Sequence, residues 1–199
     1  MNKKIRIGLP KGNIHHFSSK LLSDTLGEIA AIKKLHYSFM NYDFFFLKHK
    51  DIARMIKNGE LDFGITSEDW IFEYQYSPII VKRLDWCHTK IALISDSADR
   101  TNISTCVSEY PNIAAQYFRQ RGLQNVQIYS VSGSCEALVP HMYDCCIDCV
   151  ETGSTIKTHN LFISDVIMTS DVVFVANASV PNIQINELLM LLFGVSKEG

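Results

Sequence analysis

The stretch CCIDCVETGST, residues 145–155, changes character at Val150. Six residues dominated by thiols, Ile and Val read as a buried strand; an acid, a glycine and three hydroxyl side chains then read as a turn that opens a helix. That is one strand-to-helix junction of an α/β fold, and the rest of the chain repeats the pattern. KIRIGLP (4–10) is a first strand and NIHHFSSKLLSDTL (13–26) a helix, with Ile14, Phe17, Leu21, Leu22 and Leu26 near 3.6-residue spacing. DFFFLK is a second strand, DIARMIKNG a short helix with an acidic start and a Gly59 stop, LDFGIT a strand and SEDWIFEY a helix. TKIALIS, ISTCVS, VQIYSV and CCIDCV supply further strands, with YPNIAAQYFRQRG as a helix among them. DVVFVANAS is a late strand, and NIQINELLMLLFGV a final helix with Asn182 or a neighbour as its cap.

Two α/β lobes are expected: residues 1–90 with 171–199, and residues 91–170, joined near 88–92 and again near 165–172. The polar stretch SDSADRTN (95–102) is the most linker-like loop. A chain that crosses twice between lobes is expected to hold its ligand in the cleft, where loops at the carboxyl ends of parallel strands converge.

Composition narrows the ligand. The chain has 199 residues, 47% hydrophobic and 20% charged, with a formal net charge of -2 and no block of basic residues. A general attraction to nucleic acid or to an anionic membrane is therefore excluded, and any anion site must be local. The apolar run ahead of Pro10 is too short for a signal peptide or a membrane span, so a cytoplasmic protein is expected. Six cysteines in such a chain read as reduced packing thiols. Cys146 and Cys149 form a CxxC, but three residues apart on a strand they point to opposite faces and suit neither a disulfide nor one tetrahedral metal ion.

Asp148 and Glu151 supply two acceptors for sugar hydroxyls, or for a bound magnesium ion. Thr152, Gly153, Ser154 and Thr155 follow with backbone N–H groups and hydroxyls, the groups that a phosphate needs. A plain helix-capping turn is the alternative. Lys11 and Gly12 after the first strand suit a second phosphate contact or a simple turn. Ser132, Gly133 and Ser134 form another small-residue turn, with Glu136 within reach, and Tyr110 and Pro111 open a helix. Asp69 reads as an acid at a helix N-terminus.

The segment DCVETGST resembles the phosphoribosyl pyrophosphate (PRPP) loop of the ATP phosphoribosyltransferase family, the first enzyme of histidine biosynthesis. GLPKGNI, GELDFGITSEDW, SEYPNIAAQYF and VSGSCE match the same family in the same order, so the resemblance covers nearly the whole chain. At this length it resembles the short, catalytic-core form, which lacks the C-terminal regulatory domain. The resemblance implies a two-lobed, periplasmic-binding-protein-like (type II) fold, a homodimer or higher assembly, and a histidyl-tRNA-synthetase-like regulatory subunit. It also implies a reaction in which adenine N1 of ATP attacks C1 of PRPP while pyrophosphate leaves with Mg2+, the metal being held through substrate phosphates. Asp148, Glu151, Thr152, Gly153, Ser154 and Thr155 would bind PRPP. Lys11, Gly12, Asn13, Tyr110, Ser132, Gly133, Ser134 and Glu136 would bind ATP or pyrophosphate, and Lys11 and Lys33 would be catalytic.

The chain departs from the family where charge matters. Asn13 and Lys33 stand where arginines are usual, Glu109 stands where a lysine is common, and one residue is missing between Glu136 and Asp144. The arginines would steady the leaving group; an amide supplies no charge, and a lysine supplies a point charge without the guanidinium fork. His15, His16, His88 and His141 could compensate, although His15 and His16 read as exposed surface. Two other functions remain open: a PRPP-dependent transferase with another acceptor, and a non-catalytic module that binds small molecules.

Overall fold

The computed structural model describes residues 4–27 and 34–195, and the chain divides into two units: 1–87 with 171–199, and 88–170. The first unit is built on β1 (Ile5–Pro10), β2 (His36–Phe39), β3 (Tyr42–Leu47), β4 (Phe63–Ser67) and the second half of β9 (Phe162–Ala176), in the order β2-β3-β1-β4-β9. β1 runs parallel to β3 and β4, whereas β2 and β9 are antiparallel to their neighbours.

β1, β4 and the end of β9 are buried on both faces, and the side chains of the strands divide with the two-residue period. Ile5, Ile7 and Leu9 of β1, Phe44 and Phe46 of β3, Phe63 and Ile65 of β4, and Phe174 of β9 pack beneath α1 (His15–Leu26) and α6 (Asn182–Phe193). Val173 and Val175 face the other way, toward Ile52 and Ile56 of α2 (His49–Lys57). There Gly8 and Gly64 let α2 lie directly on the sheet: a Cβ on Gly64 would come within 2.5 Å of Ile52 Cγ2. α3 (Glu68–Glu73) follows β4 with Asp69 in its first turn.

The second unit has the order β5-β8-β6-β7, from β5 (Ile79–Ser95), β6 (Thr105–Ser108), β7 (Gln127–Ser130) and β8 (Cys145–Val150). β6 is parallel to both β7 and β8, while β5 is antiparallel to β8. Ala92, Ile94, Val107, Cys146 and Val150 form one apolar layer with Cys135 of a 3-10 turn (Cys135–Leu138) and Ile156 of α5 (Ser154–Thr158). α4 (Pro111–Gln120) buries Ile113, Ala114, Tyr117 and Phe118. Asp144, ahead of β8, accepts hydrogen bonds from the amides of Ser104 and Thr105 and from Arg100, which fixes the start of β6 beside the start of β8.

Several elements differ from the sequence expectation. β2 is an additional edge strand, and α1 begins at His15 instead of residue 13. β5 and β9 extend well beyond TKIALIS and DVVFVANAS, so both connections between the units run within strands. Half-exposed strands tolerate charges such as Lys82, Arg83 and Asp85, which is why the hydrophobic pattern hides them. Pro181, the neighbour of Asn182, occupies the cap position of α6, where no side chain accepts a bond. His15 is half-buried, its ring edge-on to Phe46 at 5.0 Å, while His16 is exposed.

The glycine contacts set a stability test. Gly64→Ala forces α2 away from the sheet and should cost about 1–3 kcal/mol in urea unfolding. Combining it with Ile52→Ala should cost less than the sum of the two single changes, because the deleted branch removes the tightest contact of the new methyl and leaves only the flexible end of Ile56, at 2.8 Å, to shift.

Candidate active site

Parallel pairing decides where the loops go. In the second unit Ser108 pairs with Ser130 of β7 and with Ile147 of β8, so the segments that follow β6, β7 and β8 leave the sheet from one edge. Those segments are Glu109–Tyr110, Val131–Glu136 and Glu151–Thr155. A hollow of ≈ 310 Å³ lies among Glu136, Cys149, Glu151, Thr152, Gly153, Ser154 and Thr155. The structure thus brings Glu136 of one expected group beside the Asp148–Thr155 loop of the other.

The turn is built on Gly153, whose φ of +71° lies in the left-handed region. A Cβ there would meet only Val150 Cγ1 at 4.0 Å, so the requirement is conformational and not one of space. α5 opens on this glycine, which has no side chain to cap it; Thr152 Oγ1 lies 3.0 Å from Ser154 Oγ and accepts the Ser154 amide at 3.4 Å. Thr152, Ser154 and Thr155 are exposed toward solvent. Gly133 and Ser134 also adopt left-handed conformations, with φ of +80° and +57°, and turn the chain into the 3-10 segment that carries Glu136.

Asp148 differs from its neighbours in the loop. It shares its face of β8 with Cys146 and Val150, is only 7% exposed, and accepts the Cys149 amide at Oδ1 from 2.7 Å. Burial, with smaller repulsions from Glu136 and Glu109, pushes its carboxyl up to about 6, against the opposing effect of the nearby Cys135 thiol and the Cys149 amide. Cys149 points to the opposite face of the strand from Cys146, as the two-residue period requires. Tyr110 is 3% exposed, with its amide donating to Ser108 Oγ at 2.8 Å.

Lys11, Gly12 and Asn13 belong to the first unit and are exposed beyond the end of β1. The Lys11 amide donates to Leu47 O at 2.8 Å, which brings the end of β3 alongside. Lys48 and Lys50 therefore stand at the same sheet edge as Lys11, a grouping that sequence reading missed because they open a helix thirty-odd residues away. Asp69 is 2% exposed and accepts the Trp70 amide at 2.9 Å; its charge acts on His49, whose imidazole burial otherwise holds below its ordinary range. Lys33 lies outside the described residues. Among the described residues no group of three or more His, Cys, Asp or Glu side chains stands close enough to hold a metal ion, and no helix is long and apolar enough to cross a membrane.

Comparison with known proteins adds an independent line. A family model described as HisG, ATP phosphoribosyltransferase, matches residues 48–194. The ATP phosphoribosyltransferase of Campylobacter curvus is 30% identical over 203 residues, covering 98% of this chain and 97% of that protein. Among solved structures, a chain of the ATP phosphoribosyl transferase (HisG:HisZ) complex from Thermotoga maritima superposes with a TM-score of 0.84 at 20% identity, covering 94% of this chain and 96% of its own. A histidine kinase sensor domain with similarity to periplasmic binding proteins superposes with a TM-score of 0.54 at 12% identity, over 96% of this chain and 87% of its own. The mixed α/β, periplasmic-binding-protein-like fold expected from the sequence is borne out.

The buried carboxylate makes stability depend on pH. Because folding raises the Asp148 pKa above its unfolded value near 3.8, the folded state is favoured below about pH 4 and loses that advantage as pH rises through about 6. Asp148→Asn should therefore stabilise the protein by about 1–3 kcal/mol at neutral pH, with the difference disappearing below about pH 4, as measured by urea unfolding across that range.

Proposed function

The chain belongs to the ATP phosphoribosyltransferase family, and on that premise we propose that it joins ATP to PRPP, giving N1-(5-phosphoribosyl)-ATP and pyrophosphate, the first step of histidine biosynthesis. The observation that carries this reading is the hollow at the end of β8, where acids and a glycine-hydroxyl turn stand together. Asp148 and Glu151 accept from the ribose hydroxyls of PRPP. Thr152 to Thr155 take its 5-phosphate through hydroxyls and backbone N–H groups.

Adenine N1 already carries a lone pair, so the reaction asks for alignment and charge neutralisation more than for a base. Lys11, with Gly12 and Asn13, contacts phosphates of ATP or pyrophosphate, and Lys48 and Lys50 at the same sheet edge supply charge that Asn13 cannot. Lys33 keeps the catalytic role that the family resemblance gives it. Ser132, Gly133, Ser134 and Glu136 border the nucleotide or pyrophosphate, and Tyr110 contributes packing beneath the start of α4. Magnesium enters with the pyrophosphate of PRPP as part of the substrate. A histidyl-tRNA-synthetase-like regulatory subunit in a homodimer or higher assembly, and a cytoplasmic location, belong to the same proposal; the likeness to a HisG:HisZ complex supports the partner.

Incubation with PRPP, Mg2+ and ATP, with and without such a subunit, should yield phosphoribosyl-ATP by absorbance. The exposed Asn13, at a position where the family carries positive charge, favours one second reading: a transferase that keeps PRPP and uses another acceptor. Substitutions separate the two. Asn13→Arg should raise kcat with ATP about three- to tenfold and leave PRPP affinity nearly unchanged, since a guanidinium aimed at the leaving group gains most as the bond to C1 breaks. An unchanged kcat in a variant that still binds PRPP would favour the other acceptor. Thr155→Ala should weaken PRPP binding about tenfold by calorimetry.

A further inference from the structure

The first half of β5 carries a cation where its strand pattern calls for an apolar side chain. By the two-residue period Lys82, Leu84 and Trp86 project to one face of the strand, and Leu84 and Trp86 there join the core that α1 and α6 cover. Lys82 reaches over the ring of Phe193 in α6, its Nζ 5.8 Å from the centroid. Phe17 of α1 lies nearly parallel to Trp86, with ring centroids 5.4 Å apart and planes 14° from one another. These side chains line a groove of ≈ 560 Å³ in the first unit, together with Lys20, Leu21 and Asp24 of α1 and Arg83 and Asp85 of β5.

A groove of this volume falls in the range of about 300–1,000 Å³ that holds small molecules. Its walls select the body of the ligand, and its charges select the head. Phe17, Leu21, Trp86 and Phe193 pack on the core cluster, so the aromatic surface is in place before any ligand arrives. Lys20 is paired with Asp24 at 2.7 Å, and Arg83 with Glu68 of α3. Asp85 projects to the opposite face of β5 from Lys82. Among the described residues Lys82 has no carboxylate within ion-pair distance; its contact is the Phe193 ring. A half-buried ammonium held on an aromatic ring is left to be neutralised by an anion from outside. We propose that this groove is a binding site for a small aromatic carboxylate, whose ring lies against Phe17 and Trp86 and whose carboxylate meets the Lys82 ammonium. Neither the family resemblance nor the reaction assigns the groove a role, and the site stands apart from the hollow at the end of β8, which belongs to the other unit.

Calorimetry on the whole protein with 2-naphthoate and with its neutral isostere 2-naphthamide tests this. The carboxylate should bind about three- to tenfold more tightly than the amide, and that preference should shrink as salt is raised. Lys82→Gln, a substitution at a half-buried surface position, removes the charge and keeps a polar stem over Phe193. It should bring naphthoate down to the affinity of the amide and leave the amide within about twofold of its wild-type value. Trp86 is one of two tryptophans, the other being Trp70 in α3, so naphthoate should also change the intrinsic fluorescence. Trp86→Phe should abolish that change while calorimetry still detects binding. Absence of naphthoate binding, equal affinity for the two probes, or a carboxylate preference that survives Lys82→Gln would each overturn the proposal. So would a fluorescence change that persists in Trp86→Phe, or displacement of naphthoate by PRPP or ATP, which would move the probe to the site of the reaction.

Discussion

Parallel pairing of β6 with β7 and β8 is the constraint on which the candidate site depends. The register that sets Ser108 against Ser130 and Ile147 obliges three chain segments, far apart in sequence, to leave the sheet along one edge. Nothing in ETGST alone would gather Glu109, Ser132 or Glu136; the hydrogen-bond ladder does so. The start of the same ladder is held by Asp144, whose carboxylate takes two amides and a guanidinium, so one acid fixes the end of the sheet opposite the loops. The first unit follows the same logic, with β1 and β3 delivering Lys11, Lys48 and Lys50 to a common edge.

That edge also explains why an acid sits where an apolar residue would pack better. Asp148 occupies the layer of Cys146, Val150 and Ile156, and the protein bears an ionised carboxylate there at neutral pH at a cost in folding free energy. The role proposed for Asp148, accepting from ligand hydroxyls, asks for a poorly hydrated acceptor, and burial supplies one. On that proposal stability is yielded at the place where the ligand recovers it.

How much of this the sequence reveals depends on which physical signal each part uses. The βα junctions at Pro10, Ser67 and Val150 are legible because buried parallel strands read as apolar runs and their turns as glycine and hydroxyl clusters. β2 escapes because HYSF is only four residues long, so that Tyr37 and Phe39, which pack on the core, make too short an alternation to read as a strand, and the first halves of β5 and β9 escape because half-exposed strands carry charge freely. The segment DCVETGST stands out as a contiguous motif. The grouping of Lys11 with Lys48 and Lys50, and of Glu136 with the turn after β8, joins residues that only strand register brings together, and one chain without its register does not disclose it.

The contact of α2 with Gly8 and Gly64 carries a consequence for how this chain can change over generations. A Cβ on Gly8 would meet Leu61 Cδ1 at 2.8 Å and Ile52 at 3.0 Å, and one on Gly64 would meet Ile52 Cγ2 at 2.5 Å and Ile56 Cδ1 at 2.8 Å, so neither position has room for one added carbon. A larger residue at 8 or 64 becomes admissible only as Ile52 gives way together with Leu61 or Ile56, and a shrunken 52 leaves a void until one of the glycines grows. Positions 8, 52, 56, 61 and 64 therefore form a single inherited unit. The start of α2, where Lys48 and Lys50 stand, is kept in place by residues that never meet a ligand.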